Sequence, residues 1–173
     1  MAMLPDYPTT LRTDRLVLRP AQPSDLDAFY DILSNPKMMT YWSTPPHPDM
    51  DTTRAWLDRQ LDPECLGRDF VIEHEGRCIG KAGAWRLPEI GYILHPDVWG
   101  KGIAREAMEA IIPHLFATSD VPSLTADVDP RHAASLALLN RLGFQETHRA
   151  RNTFCIDGVW VDSIYLALPR PTA

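Results

Sequence analysis

Apolar positions along the chain alternate between two periods, and the switch between them marks the elements. Period-two runs predict strands at residues 15–19, 70–74, 77–85, 89–94, 124–128, 144–148 and 159–168. Period-3.6 runs predict the helices between them. One opens at Ser24, with Ser24 and Asp27 as a capping-box-like pair, and buries Leu26, Phe29, Ile32 and Leu33. A second starts near Asp51 and carries Trp56, Leu57 and Leu61; the proline-bearing stretch 35–48 before it is an irregular loop. The third presents Ile103, Ala104, Ala107, Met108, Ile111, Ile112 and Leu115 on one face and Arg105, Glu106 and Glu109 on the other. Pro113 is expected to kink that helix or end it early. In the fourth, Asp129 reads as N-cap, Pro130 as the first helical residue and Gly143 as the left-handed stop. Glu75-Gly76 and Asp157-Gly158 read as hairpin turns.

Composition narrows the class of protein. A chain of 173 residues with 45% hydrophobic content suits one compact domain spanning 1–173. No apolar run is long enough to span a bilayer, and the first residues lack a signal-peptide pattern, so the expected location is the cytoplasm, away from membranes. Cys65, Cys78 and Cys155 are odd in number and far apart, which predicts free thiols. The six histidines form no His-x-x-x-His pair and the cysteines no Cys-x-x-Cys pair, so no metal is expected. With 23 acidic against 17 basic side chains the net charge is -6, which argues against a nucleic-acid partner and mildly favours a cationic substrate.

The segment Asp97-Val98-Trp99-Gly100-Lys101-Gly102-Ile103-Ala104 joins the strand Glu89–Leu94 to the third helix. A helix start leaves N–H groups unpaired at the positive end of the dipole, and two glycines there remove side chains that would block an anion. Two nucleotide motifs fail at this place. A P-loop requires Ser or Thr after Gly-Lys, where this chain has Gly102, and a Rossmann fingerprint requires a third glycine where this chain has Arg105. A phosphate cradle and a plain strand-to-helix turn remain open for this segment alone.

A second segment, Asp127-Val128-Asp129-Pro130-Arg131-His132-Ala133-Ala134-Ser135 running on to Leu142-Gly143-Phe144, combines with the first. Together they resemble the GNAT superfamily of acyl-CoA-dependent N-acyltransferases. That family's pyrophosphate pattern, Gln/Arg-x-x-Gly-x-Gly/Ala, maps onto Trp99 through Ala104; Gly102 and Ala104 match, and Trp99 replaces the Gln or Arg. The opening Leu11-Arg12-Thr13-Asp14-Arg15-Leu16-Val17-Leu18-Arg19, the pair Tyr41-Trp42 and the Ala134-Ser135 helix resemble the RimJ/RimL branch, the ribosomal-protein N-terminal acetyltransferases and their relatives.

The resemblance implies an α+β fold whose mixed, mostly antiparallel sheet is flanked by helices and splayed between its fourth and fifth strands. It implies acetyl-CoA as acyl donor and direct attack by a primary amine in a ternary complex. Main-chain groups of Leu94 would pair with the pantetheine arm. Trp99, Gly100, Lys101, Gly102, Ile103 and Ala104 would hold the pyrophosphate, with Trp99 packing beside the turn and Lys101 reaching a phosphate. His132 stands where many relatives have an asparagine that touches the coenzyme arm. Leu139 stands where many have a tyrosine acid, and Ser135, one turn earlier, would contact the coenzyme sulfur. Glu89, heading its strand, is the candidate base, directly or through a water. Tyr41, Trp42 and Trp85 would line the acceptor cleft, although aromatics at such places also serve as core anchors. The implied acceptor is a protein N-terminus or a small-molecule amine. An antibiotic, polyamine or amino-acid analogue is the rival acceptor, and a non-catalytic acyl-CoA sensor the rival class. Either a monomer or a homodimer is compatible.

Overall fold

The computed structural model describes residues 9–62 and 68–172, which leaves Cys65 outside the described residues. Eight strands form one sheet: β1 Leu11–Arg12, β2 Leu16–Arg19, β3 Asp69–His74, β4 Arg77–Arg86, β5 Glu89–Leu94, β6 Ser123–Val128, β7 Gln145–Ile156 and β8 Val159–Pro169. Their spatial order is β1-β2-β3-β4-β5-β6-β8-β7. Every neighbouring pair is antiparallel except β5 and β6. Those two run parallel and keep one register pair, Glu89 with Thr125, extended by the Thr125 N–H donating to the Pro88 carbonyl at 2.9 Å. Beyond that point they part. The expected splay is therefore present, and the short β1 moves it from the fourth and fifth strands to the fifth and sixth.

Four helices cover the sheet: α1 Leu26–Leu33, α2 Met50–Gln60, α3 Ile103–Ala117 and α4 Ala133–Arg141. Strand alternation divides the core in two. Ile90 and Leu94 of β5 and Leu124, Ala126 and Val128 of β6 join Met108, Ile111, Leu115 and Leu139 on the α3/α4 face. Ile93 joins Phe29, Ile32, Leu33, Leu57 and Val71 under α1 and α2. Glu89 of β5 and Asp127 of β6 share the parity of that second face. Each fully buried Phe29 or Phe70 contributes about 1.5–3 kcal/mol.

Several expected boundaries shift, each for a local reason. Ser24 and Asp27 do not cap α1: a 3₁₀ turn at Pro23–Asp25 leads into it, and the Gln22 N–H donates to Asp25 Oδ2 at 2.8 Å. Asp129 and Pro130 form a β-turn instead of a helix start. The His132 N–H donates to the Asp129 carbonyl at 2.9 Å, the Arg131 N–H to Asp129 Oδ1 at 2.9 Å, and α4 begins only at Ala133. Asp at the first and Pro at the second position also suit a type I turn, and that use prevails here. Pro113 neither ends nor shortens α3, which continues to Ala117; the proline lies on the exposed side, where water can serve the carbonyl it leaves unpaired. β7 extends to Ile156, well beyond residue 148, as a largely exposed edge strand without an apolar alternation to mark it. The α2 start at Met50, with Asp49 Oδ1 accepting from the Thr52 N–H at 2.8 Å, and the αL stop at Gly143 follow the expectation closely.

Candidate active site

The splay leaves main-chain groups of β5 without a strand partner. The His95 N–H donates to the Ile79 carbonyl at 2.8 Å, and Leu94 lies opposite Gly80. In an antiparallel ladder this phase turns the main-chain groups of Tyr92 and Leu94 away from β4 and toward the gap that β6 has vacated. The Leu94 carbonyl is partly committed, because Trp99 Nε1–H donates to it at 2.8 Å. The Leu94 N–H and the second lone pair of its carbonyl remain directed at the gap, where the pantetheine arm is expected.

The turn after β5 has the form of an anion cradle. Gly100 and Gly102 take φ of 71° and 74°, the left-handed region, while a Cβ at Gly100 would meet nothing within 4 Å. The turn thus requires glycine for its backbone, and an open surface remains above it. The first bond of α3 runs from the Glu106 N–H to the Gly102 carbonyl at 3.0 Å, so the N–H groups of Ile103, Ala104 and Arg105 have no intrahelical partner. Lys101 is exposed beside them. Arg15, which the sequence reading did not place here, donates through Nη1 to the Lys101 carbonyl at 3.0 Å and pairs through Nε with Glu106 at 2.6 Å. Trp99 is half exposed against the turn, with Lys37 Nζ 5.7 Å from its ring centre. Donors, dipole and cations fit a pyrophosphate.

Two hydroxyls meet beneath the gap on the α3/α4 side. Ser135 of α4 is 7% exposed, and its Oγ lies 2.6 Å from the Tyr92 Oη of β5. Burial pushes the Tyr92 phenol up to about 12, so it stays protonated and able to donate. Leu139 is 1% exposed and fills the core, so no tyrosine acid comes from α4 itself. Tyr92 supplies a phenol from another element. In the sequence it reads as one more apolar residue of a buried strand.

Glu89 and Asp127 lie on the opposite face. Burial raises both carboxyls above their ordinary values, and the Asp127 charge raises Glu89 further while Arg86 opposes it. Toward the open end of the gap, Tyr41 stacks on His132 with ring centres 4.4 Å apart, and Arg131 lies 5.9 Å from the Tyr41 centre. Burial lowers the His132 pKa, favouring the neutral ring. His132 is therefore engaged with the aromatic rim. Trp42 packs against the α1/α2 core, and Trp85 stands 58% exposed at the β4–β5 hairpin, next to the Arg86–Glu89 register pair. The structure thus brings Tyr41 to His132 at one end and Trp85 near Glu89 at the other. Trp56 packs edge-on against Phe29 at 4.9 Å, and burial pushes the Cys78 thiol up to about 11, which leaves it unreactive.

Among the described residues no helix is long and apolar enough to cross a membrane. Comparisons with known proteins agree with the geometry. The family model for the acetyltransferase (GNAT) domain matches residues 15–145. An uncharacterized N-acetyltransferase p20 of Bacillus licheniformis is 28% identical over 169 residues, covering 92% of this chain and 95% of its own. The Salmonella typhimurium acetyltransferase that modifies the N-terminal serine of ribosomal protein L7/L12 superposes with a TM-score of 0.80 at 18% identity, covering 92% and 97%. The Vibrio cholerae spermidine N-acetyltransferase, solved with CoA and spermine, gives 0.78 at 21%, covering 91% and 96%. From the matched domain, the splayed sheet and the glycine cradle together, the chain belongs to the GNAT family and is an N-acetyltransferase that uses acetyl-CoA.

Proposed function

We propose that this enzyme acetylates a primary amine that approaches from the α1/α2 side of the splay, with Glu89 as base and Ser135 at the coenzyme sulfur. The observation that carries the reading is the arrangement around one gap. Glu89 lies on one face at the paired end, the Tyr92–Ser135 hydroxyl pair lies on the other, and the glycine cradle lies at the open end. Trp99, Gly100, Lys101, Gly102, Ile103 and Ala104 hold the pyrophosphate, joined by Arg15. The Leu94 N–H holds the pantetheine arm.

The chemistry needs two proton positions. An acceptor ammonium gives one proton to the Glu89 carboxylate, directly or through a water; the freed amine forms the C–N bond as the C–S bond breaks, and the second proton that the nitrogen then sheds neutralises the departing thiolate, which leaves as the thiol. Ser135 O–H donates to the departing thiolate and is itself backed by the Tyr92 O–H. A coenzyme thiol near pKa ~8.5 leaves without a strong acid, so a serine suffices. This hydroxyl pair also speaks against the non-catalytic sensor, which Leu139 and His132, standing where the family has other residues, suggest.

The two carboxylates and the Tyr41–His132 rim suit a cationic amine. The structural relatives point to two acceptor classes, a ribosomal-protein N-terminus and a polyamine. We place the chain nearer the RimL-like group and its N-terminal acceptors, on the strength of the opening segment and the Ala134-Ser135 helix. Thiol release from acetyl-CoA, measured against peptides with free N-termini and against small mono- and diamines, tests this. The expected result is a peptide kcat/KM at least tenfold above that of any small amine. A small amine preferred over all peptides moves the chain out of that group, and no acceptor exceeding background hydrolysis removes the reading.

A further inference from the structure

We infer that Asp127 is a positioning residue for the base: Ser163 holds its carboxylate on the acceptor face, where it sets a fixed negative charge beside Glu89. The inference rests on Glu89 being the base.

Geometry puts the two side chains together. Glu89 is in register with Thr125, and Asp127 lies two residues further along β6, on the same face. Regular pairing, with strands about 4.8 Å apart and i,i+2 positions about 6.6 Å, would put the two Cα atoms about 8 Å apart, and the Asp127 charge acts on Glu89 across that space. Past Thr125 the strands diverge, which makes Asp127 the first β6 residue on that face beside the open gap.

A buried hydroxyl works against the burial that raises the Asp127 carboxyl. Ser163 of β8 is 1% exposed and hydrogen-bonds the Asp127 carboxylate; its Oγ lies 2.6 Å from Thr153 Oγ1. Thr153 owes its position to an irregularity of β7. The register jumps from Ala150 opposite Ser163 to Phe154 opposite Val161, so three residues of β7 stand against one of β8. Asn152 takes a left-handed φ of 52° there, and its N–H donates to Asp162 Oδ1 at 2.9 Å. The bulge sets the Thr153 hydroxyl between the Val161 carbonyl, 3.1 Å away, and Ser163 Oγ, and the Ser163 hydroxyl on the Asp127 carboxylate favours its charged form. Tyr165 lies opposite Asp127, and His148 stacks on Tyr165 at 4.4 Å. The charged and titratable groups around the pair are therefore Arg86 of β4 for Glu89, and His148 of β7 for Asp127, with the Tyr165 phenol of β8 between.

The consequence is a base tuned toward the working pH. A neighbouring negative charge disfavours ionisation of Glu89, so Glu89 binds its proton at higher pH and is the stronger base when ionised. It also attracts an incoming ammonium.

The test is the pH dependence of kcat/KM in four variants. Glu89→Gln identifies the acid limb. Asp127→Asn, near-isosteric, is expected to move that limb about 0.5–1 unit to lower pH, because losing the like charge lets Glu89 remain ionised in more acid solution. Ser163→Ala is expected to move it the same way but less, and to add nothing in the Asp127→Asn background. If Glu89→Gln removes the limb while Asp127→Asn leaves it in place, or lowers rates equally at every pH, the inference is wrong and the base stands. Should Asp127→Asn fail to fold, Ser163→Ala decides alone, an unmoved limb counting against the inference. If the limb survives Glu89→Gln, the base assignment and the inference fall together.

Discussion

Glu89→Gln is expected to lower kcat about 10²–10³-fold at pH 7 and to leave the KM for acetyl-CoA within about twofold, since general-base catalysis supplies roughly 10²–10⁴ and the glutamine touches no coenzyme-binding group. The loss should depend on the acceptor and on pH. An α-amine near pKa ~8 is about one-tenth neutral at pH 7, whereas an alkyl amine near ~10.4 is neutral less than about once in a thousand molecules. The penalty should therefore be larger for the more basic acceptor and shrink as pH approaches the amine pKa. Loss of fold is a separate outcome with its own sign. The Glu89 carboxyl is raised in the folded protein, above the ordinary value of 4.5. The folded state thus holds this proton more tightly than the unfolded chain, and stability declines as pH rises through that interval. Glutamine removes the decline, so the variant should be no less stable than the parent at neutral pH. Initial rates between pH 5 and 9, with a urea melt of each protein, check both points. An unchanged pH–rate profile would remove Glu89 from the mechanism.

Ser135→Ala is expected to lower kcat about 10–10²-fold, the smaller part of the range for general acid assistance, because the coenzyme thiol is a good leaving group. Tyr92→Phe should cost less. It leaves the Ser135 hydroxyl in place but strips its 2.6 Å partner, exposing a buried hydroxyl to a loss of about 1–3 kcal/mol unless it turns to a helix carbonyl. The two groups act in series on one proton, so the double variant should be no slower than Ser135→Ala alone. Additive losses would mean that the tyrosine acts independently of the serine. Turnover and coenzyme affinity both intact in Ser135→Ala would mean that the hydroxyl pair only ties β5 to α4.

The middle of the chain was legible because its physics is local. Strands β2 to β6 declare themselves by apolar runs or alternation bounded by turn residues, and the turn at Gly100 and Gly102 by two glycines that adopt the left-handed backbone such a turn demands. The misplaced boundaries come from residues with two uses. Asp129-Pro130 suits a helix start or a type I turn; the Arg131 and His132 N–H groups on Asp129 and the Arg131 guanidinium, which also draws its carboxyl below the usual range, favour the turn. The long β7 was not legible because an edge strand with both faces wet has no apolar period to show. The proposed site residues divide the same way. Ser135 lies in a motif and Glu89 heads a strand, whereas Tyr92 hides in an apolar run, Arg15 reaches α3 from the first hairpin, and Asp127, although it opens a motif, meets its serine partner only through the last strand. Tertiary contacts between distant segments leave no local pattern.

The central claim is that coenzyme A enters the gap between β5 and β6 with its pyrophosphate on the α3 turn. Amide-resolved NMR of the 15N-labelled 19.5 kDa protein, titrated with coenzyme A, tests it most directly. The account predicts saturation at one equivalent, with the largest shift changes at Leu94, Gly100, Gly102, Ile103, Ala104 and Ser135. Changes confined to residues away from β5 and the start of α3, or none at saturating coenzyme, would contradict it.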